Sequence, residues 1–163
     1  MIMIKIKTSG WIMGWWIFFS ISCLAAALIV PFKKWINLFT IGIISMAIIL
    51  FVDGSLAHLG AFQFNFKGPK VYGLPLPYWL SYIPGGILFA YIRPVARLPR
   101  LFFILATALF YALVELITIK LGLFQHLDWS IFKASILNIG CFTVLLWFTE
   151  WLSSIVKIKG KFA

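Results

Sequence analysis

The sequence predicts an all-α polytopic membrane protein, a single domain over residues 1–163 built as a bundle of five transmembrane helices. Three observations carry that expectation. Hydrophobic residues make up 63% of the chain and charged residues only 11%, too little charge to cover a water-soluble domain of this size. Apolar runs of roughly twenty residues recur, the length a helix needs to cross hydrocarbon. The basic residues stand at the ends of those runs, as they do around membrane spans. Lipid leaves an open strand edge unsatisfied, so the spans are helices.

The first span covers about residues 11–30 and is stopped by Pro31 and the Lys33–Lys34 pair. With the basic stretch before it, this run has the outline of a signal peptide, and "SISC" is close to a lipoprotein cleavage box. Ser20, however, occupies the place of an expected branched aliphatic residue, and the run is long enough to span; a retained helix is expected. The second span covers about residues 35–59, uncharged from Trp35 to Val52 and followed by Asp53. The third runs over about 71–92 to "RPVARLPR", the fourth over 101–123, and the fifth over 131–156, ending in "KIKGK".

Five spans put the termini on opposite sides. One side holds Lys33, Lys34, Arg93, Arg97, Arg100, Lys157, Lys159 and Lys161; the other holds Lys5, Lys7, Lys67, Lys70, Lys120 and Lys133. The positive-inside rule places the C-terminus inside and the N-terminus outside, in the cytoplasmic membrane. The net charge of +10 does not point to nucleic acid, because the basic residues flank spans rather than line a soluble face. The expected partner is the lipid bilayer, with a membrane-protein partner or a homo-oligomer left open. Trp11, Trp15, Trp16, Trp35, Trp129, Trp147 and Trp151 fall near span ends, as an aromatic belt requires. Cys23 and Cys141 lie inside apolar runs and read as small packing residues.

Within this pattern one motif occurs twice. "LGAFQF" stands at residues 59–64 and "LGLFQH" at 121–126, each beginning six residues after an acid, Asp53 and then Glu115. The second and fourth spans run in the same direction, so both copies lie on the outer face. The correspondence predicts a parallel internal repeat, spans two and three as one hairpin and four and five as the other. Glycine at a span end is a natural helix stop, which accounts for the motif but not for the acids. An acid within a span is costly and faces the bundle or a wet cavity.

The third span carries Pro75, Pro77, Pro84, Gly85 and Gly86 beside Tyr72, Tyr78, Ser81 and Tyr82, a bent arm next to the acids. A broken helix of this kind forms a substrate site or is simply a kinked span. Asn138 reaches the depth of Glu115 across the last short connection, which predicts a hydrogen bond between them. The candidate ligand-binding residues are therefore Asp53, Glu115, Asn138, Tyr78, Tyr82 and His58. His58, His126, Asp53 and Glu115 lack the spacing of a metal site, and no catalytic or cofactor motif occurs, so no catalytic residue, metal or cofactor is assigned.

The stretches "DGSLAHLG", "LPLPYWLSYIPGGILFAY", "ELITIKLGLF" and "DWS" resemble an uncharacterised family of small multipass membrane proteins from Gram-positive spore-forming bacteria. The resemblance covers about a third of the chain and implies only the bundle and a plasma-membrane location. The residues themselves point to a binding or transport-like role, in which Asp53 and Glu115 handle a proton, a cation or a small cationic ligand near the outer face. The alternatives are an interaction subunit or lipid-facing scaffold of a membrane complex, and a lipid-modifying enzyme using a carboxylate as base.

Overall fold

A computed structural model describes the chain over residues 9–156. Lys5, Lys7, Lys157, Lys159, Lys161 and the Trp11 side chain, used above for orientation and for the aromatic belt, lie outside the described residues. The chain is mostly helical. Its elements are α1 (Ser9–Ile29), α2 (Phe32–His58), β1 (Phe62–Phe64), β2 (Lys70–Val71), β3 (Leu74–Pro75), α3 (Leu76–Leu80), α4 (Tyr82–Ile92), α5 (Arg97–Lys120), β4 (Phe124–His126) and α6 (Ile131–Val156). Three helices, α2, α5 and α6, are long and apolar enough to cross a membrane, and α1 adds a shorter apolar stretch. Large apolar side chains stand bare along them, among them Phe51 at 77% exposure, Leu109 at 64% and Phe132 at 74%. Such faces require lipid around them.

Two expectations need correction. The chain is not purely α: β1 pairs antiparallel with β4, and β2 with β3. The third span is not one helix from residue 71. Residues 70–75 form a tight hairpin whose tip, Tyr72 and Gly73, takes positive φ at both positions. Helix then begins at Leu76, after extended Pro75 and with Pro77 in the first turn, where the missing N–H costs no helical bond. It breaks at Ser81, because Pro84 has no N–H to return to Leu80. Beyond α4, α5 starts at Arg97, earlier than expected. Pro99 sits in its first turn, where the backbone N–H has no helical partner to lose.

Helix α4 is held close against α2. A methyl group on Gly86 would come within 2.6 Å of Ser45 Cβ and 3.1 Å of Ile41 O, so only glycine lets these backbones meet. Helix α1 packs on α3 and α4, and α5 on α6. One buried cluster, including Leu38, Ile87, Phe89, Ile104 and Phe142, fills the end of the bundle where α2 and α5 begin. There Arg100 pairs with Glu150 at 2.6 Å and Arg93 Nη2 donates to Ser153 Oγ at 2.9 Å. A second cluster, including Trp15, Phe62, Phe64, Tyr82 and Phe124, fills the opposite end.

That opposite end is organised by the duplicated motif. Leu59 and Leu121 close their helices, and Gly60 and Gly122 follow with φ of +78° and +70°. Gly60 N–H donates to Ala57 O and Ala61 N–H to Leu56 O; Gly122 N–H donates to Ile119 O and Leu123 N–H to Thr118 O. This is the same six-residue helix stop made twice, with its last carbonyls satisfied by the turn. The extended residues after each glycine then pair with each other, Gln63 opposite Gln125, Phe62 opposite His126 and Phe64 opposite Phe124. The two glutamines, 62 residues apart, stand at the centre of the ladder.

Candidate functional site

The helix stops fix the heights of the two acids, because each carboxylate lies on the last turns before its glycine. Asp53 on α2 and Glu115 on α5 both face a cavity of about 70 Å³. Space of this size holds several waters or a ligand of a few heavy atoms; a benzene-sized apolar cavity is about 150 Å³. The β1–β4 ladder supplies one wall through Phe62, Phe64 and Phe124, whose rings stand 5.0–5.7 Å apart. Strand alternation explains this: Phe62, Phe64 and Phe124 point inwards, while Gln63 and Gln125 point out. Trp15, Phe18, Tyr111 and Trp129 add further aromatic wall, and among the described residues no lysine or arginine lines the cavity.

The acids have different partners. Tyr78 donates its hydroxyl proton to Asp53 Oδ2 at 2.6 Å. Tyr78 and Tyr82 lie one turn apart across the break at Ser81, and their hydroxyls meet at 2.9 Å. Since Tyr78 spends its proton on the carboxylate, Tyr82 donates to Tyr78, giving a relay Tyr82 to Tyr78 to Asp53. Glu115 Oε1 meets His126 Nε2 at 2.5 Å, with both side chains about 15% exposed. The pairing follows from the two motifs. His126 occupies in the second copy the position of Phe64 in the first, so only the second copy carries a base for its acid.

Of the residues singled out from sequence, Asp53, Glu115, Asn138, Tyr78 and Tyr82 line this one cavity. His58 does not; its ring stacks on Tyr72 of the β2–β3 hairpin at 5.6 Å, outside the site. The expected Glu115–Asn138 hydrogen bond is replaced by the contact of Glu115 with His126, although Asn138 stays on the same wall. Loop geometry decided this, since β4 folds back over the end of α5 and reaches Glu115 before α6 does. Among the described residues, no three of His, Cys, Asp and Glu gather as a metal set.

Sequence reasoning missed Trp15 and gave His126 no role in the site. Trp15 was expected in the aromatic belt, yet it is only 2% exposed and packs edge-on against Tyr78 and Phe64. Its indole N–H is buried with no hydrogen-bond partner among the described residues. The signal for His126 was present in the motif, where histidine replaces the phenylalanine after Gln. For Trp15 no local signal existed.

The fold and the site define a helical membrane protein with an acid-and-aromatic cavity at one end of its bundle. No family model, curated protein or solved structure matches the chain.

Proposed function

We propose that the chain is a five-span protein of the cytoplasmic membrane, N-terminus outside and C-terminus inside, that binds a small cation or cationic ligand from the outer side. The five crossings are α1, α2, the broken α3–α4 arm, α5 and α6. The orientation rests on the basic residues: Lys33, Lys34, Arg93, Arg97 and Arg100 flank one end, Lys67, Lys70, Lys120 and Lys133 the other. The twin helix stops support a parallel internal repeat, α2 with α3–α4 and α5 with α6, about an axis along the membrane normal. The cavity then lies between the halves, with one acid from each.

The observation that carries the reading is two carboxylates on one aromatic-walled cavity that, among the described residues, no lysine or arginine enters. A carboxylate in a span is retained where it does work, and aromatic faces add cation–π attraction of about 0.5–2 kcal/mol when desolvated. Glu115 already has a basic partner in His126, whereas among the described residues Asp53 is bonded to a neutral phenol. Asp53 is therefore the principal anion of the site. The role is binding or transport-like, with the Tyr82–Tyr78 relay holding the carboxylate in place.

Titration of the purified full chain with methylammonium tests this. Saturable binding is expected, weakened about tenfold or more in Asp53→Asn, which removes the charge but still accepts the Tyr78 hydrogen bond. No saturable binding by the wild type, or equal binding by wild type, Asp53→Asn and Glu115→Gln, leaves the acids an assembly role and overturns the reading.

A further inference from the structure

The acid-and-aromatic cavity is not isolated. Phe18, Tyr82, Tyr111 and Val114 also line a second cavity of about 390 Å³ between α1, α4 and α5. The two share a wall, and the second continues along α4 from Tyr82 to Ile92, about 15 Å at helical rise. Its surface is hydrocarbon in character. Ser22 Oγ already donates to Phe18 O at 3.0 Å, and Thr107 Oγ1 to Phe103 O at 2.7 Å, so these hydroxyls have spent their protons on their own helices. Leu88, Phe89, Ile92 and Phe110 supply the rest of the lining that matters here. Helix α1 packs on α3 and α4, while α5 packs on α6, and the space between α1 and α5 is this cavity.

A small charged site adjoining a long apolar one along four shared side chains has the polarity of an amphiphile. We propose that the ligand is a single-chain amphiphile with an ammonium headgroup and no anionic group, its head in the cavity of Asp53 and Glu115 and its hydrocarbon tail along α4. This rests on the cation reading above and names the ligand class for the same site. Charge complementarity selects the head: an anionic headgroup would face two carboxylates and, among the described residues, no lysine or arginine, and a neutral one would leave Asp53 without a counter-charge. Size selects the rest. The inner cavity of about 70 Å³ accepts an ammonium with a few heavy atoms, and the adjoining cavity of about 390 Å³ offers apolar space for a longer tail.

The test uses the purified full chain in nonionic detergent with methylammonium, butylammonium, octylammonium and octanol, affinities being referred to free aqueous ligand. Affinity should rise with chain length, by about fourfold per buried methylene, and octanol should bind far more weakly than octylammonium. Ala106→Phe, which fills the tail cavity from α5, should remove the chain-length gain and leave methylammonium binding at the wild-type level. Ala25→Phe fills it from α1 and replaces Ala106→Phe if that variant fails to fold. A chain-length gain that persists unchanged in the filled variant, or no gain in the wild type, overturns the amphiphile while leaving the cation site standing. Octanol binding as tight as octylammonium overturns the joint site in the same way. Absence of methylammonium binding together with indifference to Asp53→Asn overturns the cation reading and this one with it.

Discussion

At the residue scale the site turns on what each acid accepts. Tyr78→Phe removes the donor to Asp53 and the acceptor of Tyr82 together. The loss should cost about 1–3 kcal/mol, seen as a lower Tm in detergent, because buried polar groups are left unpaired. Asp53→Asn keeps an oxygen for Tyr78 and should leave Tm near the wild type while binding of methylammonium falls. The two variants separate structure from charge at one position. Protons and ammonium compete for the same carboxylate, so methylammonium affinity should rise with pH in the wild type. Among the described residues, the titratable groups around Asp53 are Tyr78 and Tyr82 from the broken arm, Tyr111 and Glu115 from α5 and Cys141 from α6, with His126 of β4 against Glu115. A profile that is unchanged in both Asp53→Asn and Glu115→Gln would show that neither acid takes part in the competition.

At the element scale the helix stops do the positioning. Gly60 and Gly122 have open space where a side chain would go, so their requirement is conformational rather than steric. Gly60→Ala and Gly122→Ala should each cost about 1 kcal/mol, the penalty of positive φ for a residue with Cβ, and by similar amounts since the two turns are alike. Unequal effects, one near zero, would mean that one copy alone holds the end of the bundle. Gly86 presents the opposite case: its φ is ordinary helical, but a side chain there meets Ser45 and the α2 backbone. Gly86→Leu should destabilise by about 1–3 kcal/mol or more through overpacking, whereas Gly140→Ala, with nothing within 4 Å, should raise or leave unchanged the Tm. Equal melting temperatures for the Gly86 and Gly140 variants would refute the close α2–α4 contact.

For the whole molecule, the proposed orientation is open to direct labelling. Lys67 and Lys33 are exposed and flank opposite ends of α2. With Cys23 and Cys141 replaced by alanine, Lys67→Cys should react with a membrane-impermeant maleimide on intact cells. Lys33→Cys should react only after permeabilisation. The reverse pattern would invert the orientation and put the cavity on the inner side. Solvation of the molecule also follows from its surface: bare Phe51, Leu109 and Phe132 belong to lipid, while the described lysines and arginines collect near helix ends and in the connections.

The sequence by itself determined the solvent and the skeleton. Apolar runs set helix lengths with no reference to neighbours, so α2, α5 and α6 were legible to within a few residues. The repeated Leu-Gly-x-Phe-Gln marked both helix stops because positive φ is a local demand that glycine answers locally. The repeat also drew notice to Asp53 and Glu115, and the tyrosines of the broken arm were visible as hydroxyls beside them. Only the tertiary structure decided who meets whom. That Phe62 pairs with His126, that Glu115 takes His126 rather than Asn138, and that His58 is held outside by Tyr72 all depend on how β4 and the β2–β3 hairpin fold back across the bundle. Trp15 entered the cavity wall, not the belt, because α1 packs against α3 and α4, a contact between segments some sixty residues apart that leaves no mark on the residues flanking either one. Periodicity and turn chemistry report a residue's own backbone; a cavity is made by surfaces that meet after the backbone is set.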